Sequence, residues 1–144
     1  MTAADDVAAR LRRLEDADQI RRLFVAYQST LDDRDFAGYS MLFAPDGEFV
    51  AGAKRVRGRP AIRAFVERIM GTERGRDFHV LANPAIDFES PDRARAQLTW
   101  IFTSRGDNGE PTVARLGHYE DVLVRRDGRW MFLGRSAPMD LPDS

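Results

Sequence analysis

The sequence predicts an α+β fold in which helices come first and an antiparallel strand meander follows. Up to Met70 the apolar residues recur at helical spacing; beyond Gly71 they alternate with period two. Ser90-Pro91-Asp92, Gly106-Asp107-Asn108-Gly109 and Asp127-Gly128 then cut the second half into strand-length pieces. A chain of 144 residues is long enough for one well-filled core and short for two. Residues 1–144 are therefore expected to form a single domain.

Each element has its own signal. Residues 4–31 read as helix, because Ile20, Leu23, Phe24, Tyr27 and Leu31 fall on one face. Asp32-Asp33-Arg34-Asp35 breaks that pattern, and Asp35 is placed to cap a short second helix carrying Phe36, Tyr39, Leu42 and Phe43. Pro45-Asp46-Gly47 reads as a turn and Glu48-Phe49-Val50 as a short strand. Gly58-Arg59-Pro60 opens a third helix with Pro60 in its first turn and Ile62, Phe65, Val66, Ile69 and Met70 as its buried stripe. Strands are expected over roughly 76–89, 93–105, 112–126 and 129–137, the last two joined by a tight Asp127-Gly128 hairpin.

Composition removes several classes of function. Net charge is −1, which gives no footprint for nucleic acid or an acidic membrane. There is no cysteine, hence no disulfide, thiolate nucleophile or Cys-ligated zinc. The single lysine, Lys54, sits in the polar run Ala53-Lys54-Arg55, a poor setting for Schiff-base chemistry. The N-terminal stretch has no apolar core of a signal peptide, and no apolar run approaches a membrane span. A cytoplasmic protein is expected.

What remains near neutral pH is histidine chemistry, and there are two histidines, His79 and His118. Both fall in predicted strands, which can aim a ring into a cavity. In the second long strand Ala94, Ala96, Leu98, Trp100, Phe102 and Ser104 share a face. In the third, His118 and Glu120 interrupt the row Ala114, Leu116, Val122 and Val124, which suits a cavity wall. His79 is out of phase with Phe78, Val80, Ile86 and Phe88, and Pro84 signals a bulge or edge at which facing shifts. His118-x-Glu120 also has the spacing of a partial metal site, although no metal is expected.

Five pieces taken in order carry a resemblance. They are Tyr27-x4-Asp32-x2-Asp35, Leu42-Phe43-Ala44-Pro45-Asp46-Gly47, Gly58-Arg59-x-Ala61-Ile62, His79-x3-Asn83, and Gly117-His118-Tyr119-Glu120-Asp121 followed by Asp127-Gly128-x-Trp130. From about Leu14 to Arg135 the chain resembles the SnoaL-like branch of the nuclear-transport-factor-two-like superfamily. The resemblance implies a cone-shaped fold, with three N-terminal helices on one face of a curved antiparallel sheet enclosing an apolar pocket. Scytalone dehydratase, bile-acid 7α-dehydratase and hexachlorocyclohexane dehydrochlorinase are the members it looks most like. Their Asp–His pair matches Asp32 and His79, with the histidine as general base and the aspartate orienting the ring. Such a pair needs no cofactor.

Strand parity and the resemblance together imply a pocket that includes Tyr27, Trp100, Phe102, Ser104, His118, Glu120 and Arg135. The resemblance also shows departures. Leu31, Ala51 and Ser104 stand where the fungal dehydratase has two tyrosines and a second histidine. Tyr27 stands where the dehydrochlorinase has a functional lysine. The expected activity is a lyase or isomerase on an apolar cyclic or polyketide-like compound; the alternative is a non-catalytic binding or subunit-assembly protein. A homo-oligomer, trimer or dimer, is expected through an outer sheet face carrying Arg93, Gln97, Thr99, Ile101, Tyr119 and Leu123.

Overall fold

A computed structural model describes residues 1–142. Helix α1 (Ala3–Asp32) begins at a reciprocal cap between Thr2 and Asp5, and it buries Ile20, Leu23, Phe24, Tyr27 and Leu31 as the spacing predicts. Helix α2 (Phe36–Met41) starts at Asp35, whose carboxylate accepts from the Gly38 N–H. Leu42 ends this helix, and Phe43 already belongs to strand β1 (Phe43–Ala51). The expected turn at Pro45-Asp46-Gly47 is instead a register shift within β1, between Phe43 and Glu48. Strand β2 (Lys54–Arg57) precedes helix α3 (Arg59–Met70), which has Pro60 in its first turn and buries Ile62, Phe65 and Val66.

The meander follows as β3 (Asp77–Ser90), β4 (Arg93–Arg105), β5 (Pro111–Arg126) and β6 (Arg129–Ser136). Asp127 and Gly128 both adopt positive φ in the β5–β6 turn, as a two-residue hairpin requires. A short strand, β7 (Met139–Leu141), pairs with β5 at Leu116 and Gly117. Sheet order is β2-β1-β6-β5-β4-β3, with β3 at one edge. The helices pack on one face of this curved, unclosed sheet. The antiparallel expectation is corrected at one pair: β1 runs parallel to β6, so the sheet is mixed. Strand β2, helix α3 and strands β3 to β5 lie between those two strands, and so long a connection does not force an antiparallel return. Among the described residues no helix is long and apolar enough to cross a membrane.

The phase of β5 differs from the one its apolar residues suggest. Tyr119, Asp121 and Leu123 point inward, opposite Leu98, Ala96 and Ala94 of β4. His118 and Glu120 therefore lie on the face turned away from the helices, beside Thr99 and Gln97. The same phase removes Tyr119 and Leu123 from the expected outer face, because both belong to the core. Two buried polar residues explain the discrepancy. Arg135 of β6 is fully enclosed and holds Asp121 through two hydrogen bonds of 2.7 Å each. Its guanidinium sits against the rings of Tyr119 at 3.8 Å, Tyr27 at 4.2 Å and Phe132 at 4.3 Å.

Breaking a buried pair is worse than never having it, because the remaining charge has no compensation. Asp121→Ala should lower unfolding stability by about 3–5 kcal/mol, measured by urea titration. The double change Asp121→Leu with Arg135→Met should recover most of that loss.

Candidate functional site

The site begins at the end of α1. Asp32 is the last residue of that helix and is buried. A carboxylate there faces the negative end of the helix dipole, so its position needs tertiary partners. It has three. Asp32 Oδ1 lies 2.8 Å from His79 Nδ1, and the backbone N–H of His79 donates to both carboxylate oxygens at 3.0 and 3.1 Å. The Gln28 amide, one turn earlier on α1, donates to Oδ2 at 2.8 Å. Burial pushes the Asp32 carboxyl up, but the bonds from His79 and Gln28 outweigh it and hold it below the usual carboxylate range. Asp32 is thus ionised at neutral pH.

His79 is held from several sides. Its ring meets Phe102, its neighbour on β4, edge to face at 5.0 Å. The phase problem seen in the sequence is resolved by a bulge. Asn83 has φ of 56°, and the β3–β4 register shifts between Ala82 and Ala85. His79 and Leu81 face inward before it, while Ile86 and Phe88 do so after it. Phe78 and Val80 are consequently exposed. Arg34, in the turn after α1, donates to the Leu31 carbonyl at 3.1 Å and to Asp77 at 3.2 Å. Asp77 also accepts from Ser104 Oγ at 2.9 Å. This buried bridge ties the chain beside Asp32 to the strand two residues before His79.

A cleft of about 430 Å³ between α1 and β3 opens on the dyad. Its walls are Phe24, Val25, Val80, Leu81, Pro84 and Leu98, with Arg21, Gln28 and His79 as its polar groups. Mostly apolar walls with a few convergent polar groups are the usual make-up of a small-molecule site. No described group forms a hydrogen bond to His79 Nε2, so it is the free nitrogen of the ring.

The other expected pocket residues do not line this cleft. Tyr27 lies in the core, where its hydroxyl accepts from that of Tyr39 at 3.1 Å, and Arg135 fills the space beside it. Trp100 is buried and donates to the His118 carbonyl at 3.0 Å; Phe102 supports the His79 ring, and Ser104 holds Asp77. His118 and Glu120 are on the opposite face of the sheet, as the β5 phase requires. The two histidines therefore do not converge on one site. Glu120 instead borders a larger outer concavity of about 500 Å³ with Glu48, Arg55, Asp87 and Arg95. The sequence does not mark Gln28 and Arg21 as site residues, because polar residues on a helix flank read as solvated surface. The i, i+4 spacing of Gln28 and Asp32 is the one signal that could have found the first.

The comparisons with known proteins agree with the fold. A SnoaL-like domain model matches residues 12–136, and the chain belongs to that family. A comparison with curated proteins returned no match. Among solved structures, it is similar to an NTF2-like protein with a cystatin-like fold from Novosphingobium aromaticivorans. That match has 26% identity and a TM-score of 0.87, covering 100% of this chain and 94% of the other. A candidate scytalone dehydratase from the same organism is 26% identical with a TM-score of 0.79, over 90% and 87% of the two chains. A hexachlorocyclohexane dehydrochlorinase, LinA type 3 from Novosphingobium barchaimii, shares the fold at 19% identity and a TM-score of 0.78, over 91% and 90%.

His118 has a structural task of its own. Its Nδ1 lies 2.8 Å from Asp140 of β7, and its Nε2 lies 3.4 Å from Glu120. The Asp140 bond, with help from Glu120, raises its pKa above the ordinary histidine value. The charged bond is thus present at acid to neutral pH and is lost as pH rises through the raised pKa. Asp140→Asn should lower the His118 pKa measured by NMR titration, and should speed amide exchange at Met139–Leu141.

Proposed function

We propose that the chain is a cofactor-independent lyase or isomerase in which His79 takes a proton from carbon. The observation that carries this reading is the double hold of Asp32 on the ring and the main chain of one histidine, at the end of an apolar cleft. A hydrogen bond from Nδ1–H to Asp32 leaves the Nε2 lone pair free to act. The proton of a C–H next to a carbonyl passes to Nε2, and its electron pair moves into the carbonyl as an enolate. The enolate then expels a leaving group from the neighbouring carbon, which is elimination, or takes the proton back elsewhere, which is isomerisation. Asp32 stabilises the imidazolium that forms between those steps. Likeness to the candidate scytalone dehydratase, at 26% identity, supports elimination as the reaction class.

The substrate in this reading is a mostly apolar ring or short polyketide-like compound, matched to Phe24, Leu81 and Leu98. The outer sheet face, with Gln97, Thr99, Ile101 and His118, is the proposed contact between copies of the chain, as a trimer or dimer. Light scattering that gave a monomer at micromolar concentration would remove that part.

Proton abstraction is measurable without the natural substrate. In D₂O, with a panel of aryl ketones, the protein should catalyse deuterium exchange of the protons next to the carbonyl, followed by NMR. Loss of a positioned base typically lowers such rates by about 10²–10⁴-fold. His79→Ala should show that loss, and Asp32→Asn should show a comparable one with an unchanged circular dichroism spectrum. Exchange that survives in His79→Ala would overturn the reading.

A further inference from the structure

The cleft has an asymmetry that the dyad chemistry leaves unused. Apart from His79, Arg21 is the one ionisable side chain in its lining. Its neighbour Arg22 is paired with Asp18 at 3.0 Å, but Arg21 forms no ion pair among the described residues. Arg21, Phe24, Val25 and Gln28 follow one another along the same flank of α1. Gln28 marks the dyad end, because its amide is bonded to Asp32. Arg21 marks the other end. Seven residues at 1.5 Å rise separate them by about 10 Å along the helix, with Phe24 and Val25 between.

We infer that Arg21 binds an anionic group of the ligand, and that the natural substrate is an apolar ring compound carrying a carboxylate remote from its reacting carbon. This rests on the reading of the cleft as the substrate site and names the substrate class for it. A guanidinium offers a planar fork that matches a carboxylate through two parallel hydrogen bonds. A single arginine neutralises one negative charge, which favours a carboxylate over a doubly charged phosphate. The apolar walls between the two ends take the ring and linking carbons. The cation at one end and the base at the other then fix which carbon faces Nε2. Arg21 would thus determine specificity and take no part in proton transfer.

The test uses two matched probes, 4-benzoylbutyrate and its methyl ester, with binding followed by NMR shifts of cleft residues. The wild type should bind the acid about tenfold more tightly than the ester, the scale of one charge-assisted hydrogen-bonded contact. That preference should shrink as salt is raised. Arg21→Gln, at an exposed position, should abolish the preference while leaving ester affinity in place, and Arg21→Lys should retain part of it. In His79→Ala the preference should persist although exchange chemistry is gone, so failure of the base assignment is distinguishable from failure of this one. The inference is overturned if the wild type shows no preference, if the preference survives Arg21→Gln, or if neither probe binds. Half-millimolar inorganic phosphate competing as well as acetate at equal ionic strength would also overturn the choice of a carboxylate.

Discussion

Everything at the site depends on satisfying one carboxylate. Asp32 sits at the unfavourable end of a 30-residue helix and out of water. Its solution is to reach across to β3, an edge strand whose outward N–H groups would otherwise be open. The N–H of His79 becomes the main-chain partner and the ring of the same residue the side-chain partner. Helix position, edge protection and alignment of the dyad are therefore one interaction seen from three sides. Arg34 secures it from behind by binding both the Leu31 carbonyl and Asp77.

A second constraint decides where the cleft lies. The centre of the fold is occupied by Arg135 and Asp121 among Tyr27, Tyr39, Tyr119 and Phe132. Burial raises the pKa of Tyr39 and Tyr119 well above the ordinary tyrosine value, so these phenols stay neutral and act as walls. Gly117 shows how tightly this region closes. A Cβ there would meet the Pro138 carbonyl at 2.2 Å and the Trp100 ring at 2.5 Å. With the centre filled, the space open to the dyad is on the flank between α1 and β3.

The sequence could reveal some of this and not the rest, for definite reasons. Period-3.6 spacing marks α1 because Ile20, Leu23, Phe24, Tyr27 and Leu31 make its buried stripe apolar, and Asp127-Gly128 marks its turn because that backbone needs positive φ. The Asp32–His79 contact bridges 47 positions and is legible through family resemblance, since spacing alone does not link a helix end to a distant strand. The phase of β5 was hidden because an inward position holds Asp121, whose partner lies 14 residues on in another strand. Counting apolar residues then selects the row with His118 and Glu120, which is the wrong face. Strand β7 has three residues and no alternation to read. The cleft walls come from a helix flank and a bulged strand, whose meeting is a tertiary fact.

The separation of charges along α1 bears on the chemistry itself. In the proposed reaction, drawing a proton from carbon would build negative charge on the substrate beside His79. The Asp32 carboxylate is already close, and its field is offset only once the imidazolium forms. A second carboxylate on the substrate, held near the reacting carbon, would oppose the enolate further. Held beside Arg21, it is about two helical turns away, near the screening length at 0.1 M salt. Its charge is also cancelled locally by the guanidinium. A ligand anion at that end adds orientation without raising the barrier, whereas one at the dyad end would raise it. The apolar stretch between Arg21 and Gln28 is what keeps those two effects apart.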